Sequence, residues 1–143
     1  MPQVYQKQKA KEKDWADIWQ AGNGALGFET SLPVMLTEGV NKGRITMQKL
    51  VEVMCENPAK LFRIFPKKGT LQVGADADVV LVDLNKEYTV DAAKFHSVVK
   101  HSPFNGFAVK GAPVLTMVRG TVVAENGEVV AQPGHGKMVQ PIK

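Results

Sequence analysis

The chain has 143 residues, 44% hydrophobic and 22% charged, with a formal net charge of +4. That is one domain's worth of sequence, able to bury roughly two thirds of its unfolded surface, and neither disorder nor a fibrous fold is favoured. One cysteine, Cys55, excludes an internal disulfide and a cysteine-built zinc site. Apolar runs such as Val79-Val80-Leu81-Val82 fall far short of the ~20 residues of a membrane span, and Met1-Pro2-Gln3-Val4 opens no signal pattern, so a soluble, cytoplasmic chain is expected. The basic excess gathers at Lys7, Lys9, Lys11 and Lys13 without interleaved aromatic residues, which reads as a solvated helix face rather than a nucleic-acid groove.

Along the chain, Ala10, Trp15, Ile18 and Trp19 fit a helical stripe loosely, predicting a surface helix over 6–20. Gly22, Gly24 and Gly27 then break any helix. From Glu29 to Val40, Leu32, Met35, Leu36 and Val40 recur at helical spacing, with Thr30 or Ser31 available to cap and Pro33 tolerated in the first turn. Met47, Leu50, Val51 and Met54 mark a second helix to about Glu56, which Asn57-Pro58 is expected to interrupt before a short helix with Pro58 at its first position.

Beyond Gly69 the pattern turns to β. Val79 to Val82 reads as a buried strand, Glu87 to Val90 as a brief edge strand, and Val114 to Val118, Thr121 to Ala124 and Val129-Val130 as further strands. Arg119-Gly120 and Asn126-Gly127 are the turns between them, Asn-Gly being a strong hairpin signal. The residue pattern is therefore α+β.

Candidate chemistry is thin. His96 and His101 are five apart, which misses the spacing that places two ligands on one helix face, and His135 lies between Gly134 and Gly136. Asp76 and Asp78 could bind a cation or act in acid/base chemistry, but bonding to turn amides is the favoured reading. Cys55 has no nearby histidine and reads as packing or surface. Gly22-Asn23-Gly24 could approach a ligand by backbone, without the context of a dinucleotide or phosphate loop.

Several ordered motifs nevertheless resemble the cyclic amidohydrolases of the dihydropyrimidinase, hydantoinase and allantoinase branch. They are Asn23-Gly24-Ala25-Leu26-Gly27-Phe28-Glu29, Asn57-Pro58-Ala59-Lys60-Leu61-Phe62, Pro66-Lys67-Lys68-Gly69-Thr70 and Val73-Gly74-Ala75-Asp76-Ala77-Asp78-Val79-Val80. His96-Ser97, Gly106-Phe107, Gly111-Ala112-Pro113, Arg119-Gly120 and Gly134-His135-Gly136-Lys137 follow in the family's order. The resemblance implies an α+β fragment: the last βα loop and helices of a TIM-like barrel in residues 1–65, then the C-terminal strands of a small β-sandwich in residues 66–143.

It further implies an enzyme with two divalent metal ions, zinc in most members, that opens a small cyclic amide or ureide ring. None of the family's metal ligands matches a position here, and its catalytic aspartate would fall just upstream of Met1. This chain is thus expected to hold no metal and no catalytic residue, and to be inactive alone. Asn23, with Gly24, matches the position that binds the cyclic amide, where a polar group beside a glycine turn can meet both the N–H and the C=O of the ring. A homo-oligomer is expected. The alternative is a non-catalytic oligomerisation or binding module of the same superfamily, and an orphan barrel end is expected to leave Met35, Leu36, Leu50 and Met54 uncovered.

Overall fold

The computed structural model describes residues 27–142, so the helix expected over 6–20 lies outside the described residues. Helix α1, Ser31–Val34, starts where Thr30 and Ser31 turn back on the Gly27 carbonyl, and continues in a wider π register over Met35–Asn41. Thr30 stands at the cap position without a side-chain bond to the helix amides. The second helical stretch opens at Thr46, whose hydroxyl accepts from the Lys49 amide at 3.1 Å, a standard N-cap. It runs through α2, Met47–Val51, a π stretch over Glu52–Glu56, and α3, Asn57–Leu61.

Pro58 does not interrupt this rod as the sequence suggested. Glu56 (φ −69°, ψ −50°) and Asn57 (φ −64°, ψ −45°) stay helical, and what changes is the hydrogen-bond register. A proline lacks the N–H and crowds the carbonyl four residues back; the wider π turn immediately before it relieves that crowding and lets the axis continue. The rod ends at Phe62, followed by Arg63 at φ 56°.

The β half is one antiparallel sheet in the order β1-β2-β3-β4, with β1 Val79–Thr89, β2 Ala108–Val118, β3 Thr121–Glu125 and β4 Glu128–Val129. The two short strands expected at 79–82 and 87–90 are one long strand, bulged between Asp83 and Glu87. Both hairpin turns form where expected, with positive φ at Arg119 and Gly120 and again at Asn126 and Gly127. The strand expected from Val114 begins six residues earlier, because Pro113 sits at a shift in register where a ladder N–H is dispensable. Val79 to Val82 is not a buried strand: Val80 and Leu81 are about half exposed, since β1 is the sheet's edge and among the described residues nothing covers its outer side.

The core lies where the first helix, the 3₁₀ turn Ala92–Lys94 and the start of β2 meet. Val90, Ala92, Phe95 and Val109 are buried there, with Val34, Phe104 and Phe107 packed around them and the two phenylalanines edge to face. Leu36 is 1% exposed and Leu50 2%, so two of the four apolar residues expected to be uncovered are instead the best covered in their helices. Leu36 is buried because Gly111 of β2 faces it: a Cβ there would stand 2.9 Å from Leu36 Cδ1, and Gly111 has φ +103°. Thr37 and Asn41 add polar stitches, Thr37 Oγ1 accepting from the Lys110 amide at 2.9 Å and Asn41 Nδ2 donating to the Lys110 carbonyl at 2.9 Å. No helix among the described residues is long and apolar enough to cross a membrane.

The seat at Gly111 makes a graded expectation. Gly111→Ala combines a disfavoured backbone with a clash and should lower stability by about 2–4 kcal/mol, whereas Gly120→Ala, with open space around it, should cost about 1 kcal/mol. Urea unfolding of the two variants measures the difference, and equal losses would contradict the seat.

Candidate functional site

The sequence-predicted substrate residues, Asn23 and Gly24, lie outside the described residues. The structure begins with the end of their glycine-rich run, and it shows what that end is fastened to. The Gly27 carbonyl accepts from the Thr30 amide at 3.1 Å, the Ser31 amide at 2.7 Å and the Ser31 hydroxyl at 2.6 Å, which closes residues 27–31 into one turn. Thr30 is buried beneath it, and Phe28 points fully into solvent.

Glu29, within that turn, reaches across to a segment 67 residues later. Its carboxylate accepts from the His96 amide and from the Ser97 amide, both at 3.0 Å, and lies 3.3 Å from His96 Nδ1. Partial burial works to raise the Glu29 pKa, but the Ser97 and His96 amides and the His96 ring outweigh it and hold the carboxyl below its ordinary value. The carboxylate is thus a charge-assisted anchor joining the Gly27–Ser31 turn to the segment that follows the core turn.

A second polar cluster explains the paired aspartates. Lys68 Nζ bridges Asp76, at 2.9 Å, and Asp78, while Asp78 Oδ1 accepts from the Arg119 amide at 2.8 Å. Burial opposes the charged state of both partners, yet the ion pair prevails, raising the Lys68 pKa and lowering that of Asp78. Asp76 closes the 66–78 turn on Lys68, and Asp78 ties that turn to the β2–β3 hairpin, which is the turn reading rather than a cation or acid/base site.

The three histidines do not converge. His96 faces Glu29, His135 Nε2 lies 3.2 Å from the Val118 carbonyl, and His101 is exposed. Cys55 is free and exposed. Among the described residues no group of three or more His, Cys, Asp or Glu side chains could hold a metal ion, so these residues do not fit the two-metal centre that the resemblance implies. Two shallow grooves flank Tyr88, whose phenol burial pushes upward in pKa, but neither collects convergent polar groups. Sequence reasoning missed the Glu29 anchor, although Glu29 and His96-Ser97 both stood in the motifs that carried the resemblance.

Comparison with known proteins places this geometry. The sequence profile of the amidohydrolase family matches residues 14–123, and the chain belongs to that family. It is 65% identical over 129 residues to the L-hydantoinase of Paenarthrobacter aurescens, covering 90% of this chain and 28% of that protein. It is 38% identical over 132 residues to the dihydropyrimidinase of Rattus norvegicus, covering 92% of this chain and 25% of that one. The solved L-hydantoinase (dihydropyrimidinase) from Arthrobacter aurescens superposes with a TM-score of 0.85 at 64% identity, covering 90% of this chain and 29% of that structure. The chain thus spans under a third of the length of the relatives it matches.

Because the Glu29 carboxyl is held low in the folded protein, its anchor stabilises fully above the unfolded carboxylate pKa of about 4.3 and is lost as pH falls through its lower folded value. Glu29→Gln should therefore be less stable than wild type by about 1 kcal/mol at neutral pH, with the gap closing below about pH 4. Urea midpoints across pH measure this; a gap that widens in acid would contradict the anchor.

Proposed function

We propose that this chain is the C-terminal part of a metal-dependent hydrolase that opens a cyclic amide ring of the hydantoin, dihydropyrimidine or allantoin type. The observation that carries this reading is the 65% identity to L-hydantoinase, sustained over 129 residues. The matching fold of the solved L-hydantoinase supports it. In this reading residues 1–65 are the end of the barrel and residues 66–143 the C-terminal part of the β-sandwich. The reaction's two divalent metals, zinc by resemblance, belong to barrel sequence other than the described residues, which offer no ligand set.

The role left to this chain is to bind and orient. Asn23 and Gly24 present amide groups that meet the N–H and C=O of the ring, so that the scissile carbonyl is held in one direction. Ring opening adds the oxygen of water to that carbonyl carbon, breaks the ring C–N bond and leaves the proton on nitrogen. The 143-residue chain alone does not catalyse it. Outward-facing Phe28, Leu61, Phe62 and Val73 support a surface that the rest of the barrel, or a second copy in a homo-oligomer, covers.

The test is a chimera in which this chain replaces the matching stretch of L-hydantoinase, assayed on hydantoin. The chimera should open the ring, the isolated chain should not, and Asn23→Ala in the chimera should lower kcat/KM roughly tenfold or more by removing ring hydrogen bonds. A folded chimera without turnover would return the chain to the class of non-catalytic relatives.

A further inference from the structure

We infer that Asn126-Gly127, at the β3–β4 turn, is a site of spontaneous deamidation, and that its isoaspartate product unlatches β4 from the sheet. The only co-reactant is water. The Gly127 amide nitrogen attacks the Asn126 side-chain carbonyl carbon; an N–C bond forms, and the side-chain nitrogen leaves as ammonia with the proton that the amide gives up. Water then opens the resulting imide ring. Cleavage of the new N–C bond leaves aspartate, whereas cleavage of the original peptide bond leaves isoaspartate, whose chain runs through the side-chain carbon.

Two Asn-Gly pairs stand among the described residues, and the structure treats them in opposite ways. In Asn105-Gly106 both reacting groups are tied to the core. Asn105 Oδ1 accepts from the Ala92 amide at 2.8 Å, the Gly106 amide donates to the Val90 carbonyl at 2.8 Å, and both Ala92 and Val90 are buried. In Asn126-Gly127 only the Asn126 backbone amide is held, donating to the Val114 carbonyl at 2.8 Å. The Asn126 side chain is exposed, and neither it nor the Gly127 amide has a hydrogen-bond partner among the described residues. Gly127 brings no Cβ to crowd the attacking nitrogen, and the space beside it is open.

The strand beyond this turn is short enough to let the reaction proceed. β4 is Glu128–Val129 alone, paired as Glu125 with Glu128 and Ala124 with Val129. So small a ladder opens locally at little cost, which frees the pair to reach the ring geometry. The products differ in what they leave behind. A turn with positive φ at both central residues, 51° and 92° here, accepts Asp-Gly as it accepts Asn-Gly. Isoaspartate adds an atom to the backbone, so the two residues no longer match the strand spacing. It also places a negative charge between Glu125 and Glu128. The bond from the Val130 amide to the Val123 carbonyl, 3.0 Å, is then lost with the ladder.

The experiment ages the 143-residue chain in mildly alkaline buffer, with and without urea, and maps it with trypsin, which places Asn105 in peptide 101–110 and Asn126 in peptide 120–137. In the folded chain Asn126 should convert roughly tenfold or more faster than Asn105, whose reaction must first break bonds to the core. In urea the two rates should converge, because the dipeptides are the same. Equal rates in the folded chain, an unchanged Asn126, or a difference that persists in urea would overturn the inference. The aged chain should lose its cross-strand nuclear Overhauser contacts between Ala124 and Val129, while Asn126→Asp, which adds the charge at normal backbone length, should keep them. Their survival in the isoaspartate form, or their loss in Asn126→Asp, would refute the unlatching.

Discussion

Leu36 against Gly111 is the contact on which the arrangement of the described residues depends. A residue with any side chain at position 111 would meet Leu36 at under 3 Å, and the φ of +103° there suits only glycine. With glycine in place, the first helix lies directly on β2, and the Thr37 and Asn41 bonds to Lys110 lock its rotation. Everything that follows in space depends on that seat: Val34 reaches the core cluster, Thr30 is buried, and the turn at Gly27–Ser31 comes within reach of His96 and Ser97. The helical and β halves are joined at this seat.

The two charged clusters divide the remaining work. Lys68 with Asp76 and Asp78 closes the passage from the helical rod into the sheet, and the Arg119 amide ties that passage to the β2–β3 hairpin. Glu29 closes the other end, between the loop exit and the core turn. Glu29 and Asp78 accept from backbone amides and Asp76 from the Lys68 ammonium, so each carboxylate is already engaged in a structural contact.

What the sequence disclosed followed from the range of the forces involved. The hairpin turns at Arg119-Gly120 and Asn126-Gly127 and the cap at Thr46 are set by neighbouring residues, and they were legible. Continuity through Pro58 was not, because a register change in the preceding turn absorbs the proline and leaves no compositional mark. The burial of Leu36 and the exposure of Val80 and Leu81 depend on which surface each one faces, and periodicity carries no such information. The same holds for the site: Asp76 and Asp78 signalled a turn, but their partner Lys68 and the Glu29–His96 anchor arise from tertiary proximity across many residues. Asn23 and Gly24 stand on resemblance alone.

The most direct test of this account is the contact that organises it. In a sample of the 143-residue chain with labelled leucine methyl groups, nuclear Overhauser cross peaks should connect a Leu36 δ-methyl to the Gly111 α-protons, reporting the seat without any substitution. A Leu36 methyl that sees only protons of its own helix would contradict the account, because the loop exit would then have no fixed relation to the sheet.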